Sequence, residues 1–270
     1  MEIDNLVQWA VGDRVLTDLL AGLDPAVVKQ REWRRGELPP GQLGWRMLGR
    51  ILERTAPLRE AAAELRTSAP RAVDVAVDLG GGRRLVGTVP EVYGDRLVPV
   101  TYSRLGAKHR IASWVHLLAL AAADGDRNWT AHTLGRPHSR SRDAVATSQL
   151  GPLDHTALDV LRDLVALRDR GRRAPLPLPL KASLGYARAR RSRADVPDAL
   201  VKAGYDWRDG RFPGEQSDPA VLKIWGRLDD PPEVAEAPSP GEQFPGETGR
   251  FGALSMRVWS PLIEAEQGSW

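Results

Sequence analysis

Val73-Asp-Val-Ala-Val-Asp-Leu79, Gly80-Gly-Gly82 and Leu85-Val-Gly-Thr-Val-Pro-Glu-Val92 form the stretch on which the fold turns. Apolar residues alternate with Asp74, Ala76 and Asp78, a period of two that gives a strand one apolar and one polar face. Successive glycines supply the positive φ that a tight reversal needs. A second turn at Gly94-Asp95 leads into Leu97–Tyr102, so the three segments predict an antiparallel meander. Ile111, Trp114, Val115, Leu118 and Ala122 then recur at helical spacing, and Trp129–Leu134 reads as a strand again. A strand, a helix and a strand in that order make a parallel crossover.

Helices precede this sheet. Asp4 is placed to cap a helix carrying Leu6, Trp9, Leu16 and Leu20, which Gly22 stops. Asp24-Pro25 opens a second helix, running through about Trp33. A third places Leu43, Met47, Ile51, Leu58, Ala62 and Leu65 on one side, with a kink expected at Pro57. After the crossover, Arg136–Arg142 reads as a polar loop with a mobile or ligand-ordered tip, and Asp154 or Thr156 starts a further helix. Pro175–Leu180 is extended and suits a semi-buried crossing or a proline-motif ligand. Residues 229–250 are rich in Pro, Gly and Glu and read as a loop before a docking segment from Phe251 to Leu262. The expected organisation is a helical segment over 1–66, a core over 67–228 and a loop with docking segment over 229–270.

Composition removes several chemistries. The 270 residues contain no cysteine, which excludes disulfides, thiol nucleophiles and Cys-ligated metal sites. No apolar run approaches the roughly 18 residues of a membrane helix, and Met1-Glu-Ile-Asp4 does not read as a signal peptide. Of 38 basic residues five are lysine, leaving 33 arginines, yet the net charge is only +3. Residues 162–208 hold 12 basic and 5 acidic side chains, and 209–270 hold 5 basic and 11 acidic. Tyr102–Ser148 adds seven basic residues against three acidic ones. Such a distribution fits either solvated faces of both signs or a phosphate-facing surface, and charge alone does not choose.

The element order resembles that of the PD-(D/E)XK nucleases, where carboxylates on the second and third strands hold Mg²⁺ and a lysine orients the attacking water. Here the second strand reads Gly87-Thr-Val-Pro90 and the third Val100-Thr-Tyr-Ser103. Pro90 and Thr101 stand where the resemblance would put acids, and Ser103 where it would put lysine. Glu91 is one residue late, which on a regular strand is the opposite face. Active members often carry Gln-x-x-x-Tyr on the next helix; this chain has Arg110-Ile-Ala-Ser-Trp114. The fold class expected is α/β, a degenerate PD-(D/E)XK nuclease-like core with a helical N-terminal segment and a loop-rich C-terminal extension.

A more specific likeness runs from residue 2 to about 262. It is carried by Trp9-Ala-Val-Gly-Asp-Arg14, Trp33-Arg-Arg-Gly-Glu-Leu-Pro-Pro-Gly41, Leu85-Val-Gly-Thr-Val-Pro90, Val100-Thr-Tyr-Ser-Arg-Leu-Gly106, Trp114-Val-His-Leu-Leu-Ala-Leu120, Pro175-Leu-Pro-Leu-Pro-Leu-Lys181 and Arg211-Phe-Pro-Gly-Glu215. On these residues the chain resembles the C-terminal domain of RecC, the gamma subunit of exodeoxyribonuclease V, in its actinobacterial form. The resemblance implies a fragment of a subunit several times longer, with inactivated helicase-like domains ahead of it. It implies a non-catalytic, cytoplasmic domain that partners RecB, in most members RecD, and duplex or forked DNA. ATP and Mg²⁺ would be used by other subunits, with no cofactor here. The alternatives are a pure subunit-interaction module and an active Mg²⁺ nuclease with displaced ligands.

Charge and loop position make Arg104, Lys108, Arg110, Arg136, Arg140 and Arg142 the DNA-binding candidates. Arg110 could equally pair with a carboxylate. Arg188, Arg190, Arg191 and Arg193 suit an acidic partner or DNA. His109, His116, His132, His138 and His155 show no metal-ligand spacing. Trp9, Trp33 and Trp114 are expected in the core, and Trp225 and Trp259 at a subunit interface.

Overall fold

The computed structural model describes residues 5–138 and 141–267. Three helices, α1 (Asn5–Leu20), α2 (Pro25–Arg34) and α3 (Gln42–Leu65), lead into strands β1 (Arg71–Gly80), β2 (Arg83–Tyr93), β3 (Arg96–Leu97) and β4 (Val100–Arg104). Helix α4 (Ala107–Ala123) crosses to β5 (Thr130–Arg136), which is followed by β6 (Ala146–Leu150). The remainder is α5 (Ala157–Gly171), α6 (Leu180–Arg191), α7 (Val196–Trp207), a 3-10 turn (Glu215–Ser217), α8 (Pro219–Trp225), α9 (Arg250–Ala265) and β7 (Glu266–Gln267). No helix among the described residues is long and apolar enough to cross a membrane.

β1 and β2 form the expected hairpin, with Val75 and Val77 buried and Asp74, Ala76 and Asp78 exposed. The third strand is split. Pro99 has no N–H to give to a ladder, so β3 pairs β2 antiparallel and β5 parallel, while β4 continues alongside β5 in parallel. The crossover through α4 is therefore present. Beyond it, β6 pairs β5 antiparallel and β7 pairs β6, giving the order β1-β2-β3-β5-β6-β7 with β4 also on β5.

Two apolar cores flank this sheet. The smaller joins α1–α3 to Tyr102 and Leu134. Its helical stripe is Gly44, Leu48, Ile51, Thr55, Leu58 and Ala62, which keeps Ile51, Leu58 and Ala62 of the expected face, with Leu65 packed on the core, and differs in the first turns, where Leu43 is exposed and Gly44 and Leu48 are buried. The helix is continuous through Pro57. The larger core packs α4, α6, α7 and α9 together. Trp259 lies within it, 1% exposed, donating Nε1–H to Ser183 Oγ at 2.9 Å, so it is not the interface residue the sequence suggested. Trp225 is half-buried, its Nε1–H donated to Glu233. Trp114 is core as expected, Trp33 is half-buried edge-on to Trp45, and Trp9 is 37% exposed. The Asp4 cap and Arg140 lie outside the described residues.

Candidate functional site

β2 does not keep its alternation as far as Glu91. Arg71 pairs Val92 and Val73 pairs Val89, so Pro90 and Glu91 together face a single residue, Ala72, in a bulge, and Glu91 takes φ 58°. The one-residue parity rule fails there, and Pro90, Glu91 and Thr101 line one cavity of about 140 Å³ together with His109, His116 and Thr133. Its chemistry is weak. The Glu91 carboxylate is held by Arg66 at 2.9 Å, and Ser113 and Thr133 bond each other at 2.6 Å. Burial pushes the His109 and His116 imidazoles below their ordinary pKa, and Lys108 and Arg110 add to this at His109. Among the described residues no three His, Cys, Asp or Glu side chains are grouped to hold a metal. Ser103 does not line this cavity; its Oγ accepts the Trp9 indole N–H from α1 at 2.9 Å.

The motif around Trp9 thus has a structural explanation. Trp9 covers Ser103, and Gly12 lets Tyr102 pass, since a Cβ at residue 12 would stand 1.9 Å from its ring. Arg14 is bound to Glu32 and Glu37 at 2.9 and 2.7 Å. On its other side the Tyr102 ring carries Arg136, whose guanidinium carbon is 4.3 Å from the ring centroid.

Arg136 belongs to the second site. The β4–β5 register sets Arg104 directly beside Arg136, and like charges opposed across two strands are destabilising. Arg54 from α3 is the third member; burial first, then repulsion from Arg54 and Arg104, lowers the Arg136 pKa despite the counter-influence of Tyr102. These three arginines and His138 line a trench of about 460 Å³ in which Glu53 is the acid. Among the described residues none of the three forms a salt bridge.

The trench adjoins a more enclosed cavity of about 390 Å³, since Arg104 and His138 line both. Its other charged walls are Arg110, Lys181, Arg188 and Asp206. Arg110 is 5% exposed, bonds Glu266 Oε1 at 3.0 Å, and thus answers the open choice at that position in favour of a carboxylate. Ser148 donates to the same Glu266 oxygen. Arg188 is pushed down to about 10 by burial and then by Arg110.

Of the expected cations, Arg104, Arg110 and Arg136 come together. Lys108 is exposed at the start of α4 and Arg142 is exposed in the loop, neither lining these cavities. Arg54 and Lys181 were not anticipated here, because each arrives from a helix distant in sequence, whereas Arg188 belongs to the run that suits an acidic partner or DNA. Two members of the 188–193 run meet acids of this same chain, Arg190 with Glu247 at 2.6 Å and Arg191 with Glu264 at 2.9 Å.

The family model described as the RecC C-terminal domain matches residues 1–191. The chain is 50% identical over 267 residues to the RecBCD enzyme subunit RecC of Mycolicibacterium smegmatis, covering 99% of this chain and 24% of that protein. It is 45% identical over 268 residues to the RecBCD enzyme subunit RecC of Mycobacterium tuberculosis H37Rv, covering 98% and 24%. It therefore spans about a quarter of the length of these relatives. A match to residues 1–191 takes in α1–α3, the sheet through β6, and Trp9, Gly12, Pro90, Thr101, Arg104 and Arg136. On that footing the chain belongs to the RecC C-terminal domain family.

Proposed function

We propose that this chain is a non-catalytic DNA-handling and scaffolding domain of a RecBCD helicase–nuclease, helping to hold and split duplex ends in double-strand break repair. The observation that carries the reading is the set of Arg54, Arg104 and Arg136, held side by side at a cost, with no salt bridge among the described residues and Glu53 as the acid on the trench wall. A polyanion removes that cost, and guanidinium forks suit phosphate oxygens. RecB and RecD are the protein partners the reading implies, in the cytoplasm, with ATP and Mg²⁺ used elsewhere in the assembly.

The sheet with Pro90 and Thr101 on one cavity supports descent from a nuclease-like core whose acids are gone. Mg²⁺-dependent cutting by this chain, abolished by Glu91→Ala, would instead establish the active-nuclease alternative. For DNA handling, anisotropy of a labelled forked duplex across a salt series is the test. Binding should weaken with salt at a log–log slope of about −0.9 per phosphate contact. Replacing Arg54, Arg104 and Arg136 by Gln should weaken binding and flatten the slope. No affinity at low salt, for the chain and for the assembled complex alike, would overturn the reading.

A subunit-contact role has its own support. Tyr205 and Phe212 are each 72% exposed, with Val201 on the same face of α7 and Ile224 exposed on α8. Exposed apolar side chains of this size suit a protein neighbour.

A further inference from the structure

We propose that the cavity between the β2 bulge, β4 and α4 is a binding pocket for one amino-bearing nucleobase, cytosine or adenine, presented by an unpaired strand or as a free nucleoside. It rests on the DNA-handling reading only for the first of those two sources.

The lining favours a base over the other parts of a nucleic acid. Among the described residues no Lys or Arg lines it, and its one carboxylate, Glu91, is paired with Arg66 at 2.9 Å. A phosphate finds no cation there. Pro90, Leu97, Pro99, Val100 and Ala112 make the walls chiefly apolar, and proline rings give flat faces against which a base can lie. At roughly 30 Å³ per water, about 140 Å³ holds about five waters, room for one heteroaromatic ring system and none for a base pair. Pro90, Glu91 and Ala112 are exposed, so the cavity opens to solvent.

The polar groups choose among bases. His109 Nδ1 accepts the Gly106 N–H at 3.3 Å, and the imidazole is held below its ordinary pKa by burial, then by Lys108 and Arg110. The neutral ring therefore carries its proton on Nε2 and has a donor to give. The Glu91 carboxylate gives one oxygen to Arg66 and keeps acceptor capacity beyond that bond. An acceptor and an N–H donor on one cavity match an exocyclic amino group beside an unprotonated ring nitrogen, the edge that cytosine and adenine share. Thymine presents the reverse, a carbonyl oxygen beside a ring N–H. Glu91 reaches the cavity only because the bulge holds it at φ 58°, and strain at a non-glycine residue is a feature that ligand sites retain. Lys108 is exposed, directly precedes His109 and acts on it electrostatically, which places a cation for the phosphate of the same nucleotide beside the pocket.

The test uses the whole chain with Ala112→Leu, which fills the cavity from an exposed helix position, and Ala112→Ser, which leaves it open. Both are first shown to melt as the parent chain does without nucleoside. Deoxycytidine and deoxyadenosine should raise the Tm of the parent and of Ala112→Ser, thymidine should not, and none should act on Ala112→Leu. Forks with unpaired oligo-dC or oligo-dT arms carry the same phosphates. The parent should bind the dC fork at least threefold more tightly, and Ala112→Leu should bind both as the parent binds the dT fork. Should Ala112→Leu fail to fold, excess deoxycytidine should still erase the arm preference of the parent. A Tm response without an arm preference supports the pocket and assigns it to free nucleosides. An arm preference erased by Ala112→Leu or by deoxycytidine supports it with the strand as ligand. Equal responses to deoxycytidine and thymidine, or a preference that survives Ala112→Leu, overturn it. Fork binding without base preference or nucleoside response sinks this pocket alone; a deoxycytidine response without fork binding sinks the DNA-handling reading alone.

Discussion

Arg190, Arg250 and Arg257, in the C-terminal third, each end on carboxylates, whereas Arg54, Arg104 and Arg136 end in one another's fields. Arg190 holds Glu247, Arg250 holds Glu233 and Glu242, and Arg257 holds Asp163. Most acids of residues 209–270 are thus paired inside the molecule, Glu266 with Arg110 and the others with basic residues of the C-terminal half. Near-neutral net charge here is internal pairing. The trench is what remains outside that pairing, three guanidinium groups with Glu53 as the acid among the described lining residues, and such a surplus is retained where something else supplies negative charge.

The largest effect belongs to the paired class. Arg250 donates to Glu242 at 2.7 and 3.0 Å and to Glu233 at 2.5 Å, and the Glu242 side chain is only 2% exposed. Arg250→Ala takes the nearest cation from that carboxylate and leaves it Arg170 at 3.5 Å and the Ser239 N–H, so the loss should approach the roughly 3–5 kcal/mol of a broken buried pair from below. Urea unfolding should show this loss while fork affinity, measured where the variant is folded, stays unchanged. A variant that kept its stability and lost DNA binding would erase the distinction between the two classes.

Second in size is Gly12→Ala. The new methyl would overlap the Tyr102 ring, and overpacking of this kind costs about 1–3 kcal/mol. Because that ring carries Arg136, a displaced Tyr102 also moves a trench cation. Stability and fork affinity should therefore fall together, which neither Arg250→Ala nor a trench substitution does. Unfolding melts and anisotropy on the same samples check it.

What was legible in the sequence follows from which physical signal each element uses. β1, β2 and α4 announce themselves because large apolar side chains recur at the right period. β6 is Ala-Thr-Ser-Gln-Leu, and its buried Ser148 is satisfied by a hydrogen bond to Glu266, so no apolar alternation marks it. α6 buries Ala182, Ser183, Ala187 and Ala189 beside Leu184 and Tyr186, and the small residues allow close packing but thin the apolar stripe. The site divides the same way. Arg104, Arg110 and Arg136 flank the crossover and could be placed near each other from topology, while the Glu266 partner of Arg110 lies 156 residues away. Glu91 was misjudged because a bulge cancels strand parity, and its positive φ at a non-glycine residue has no sequence mark.

The cavity beside Pro90 gives a third and smaller effect, set by pH. His109, His116 and also His132 are held below the ordinary imidazole value, chiefly by burial. Below about pH 6.5 the unfolded chain therefore takes up protons that the folded chain refuses, and acid favours unfolding. These groups make stability rise with pH until it passes that value. His116→Gln should flatten the rise between urea melts at pH 5.5 and 7.5 without touching the fork's salt slope, since His116 lines the small cavity and not the trench.

The smallest stability effect should come with a clear functional one. Arg54 and Arg104 are exposed, and no described salt bridge is lost when they become Gln. Surface changes of this kind stay within about 0.5 kcal/mol, and relief of repulsion on Arg136 gives the change a stabilising sign. The Tm of Arg54→Gln/Arg104→Gln should accordingly hold or rise slightly at low salt, with the gain shrinking as salt screens the trench. Fork affinity should fall in the same variant, and its log–log salt slope should lose up to about 1.8 if both side chains meet phosphates. Opposite signs for stability and affinity are what separate a cation kept for a ligand from one kept for the fold. A destabilised variant with unchanged affinity would place Arg54 and Arg104 with Arg250, among the arginines that hold the chain together.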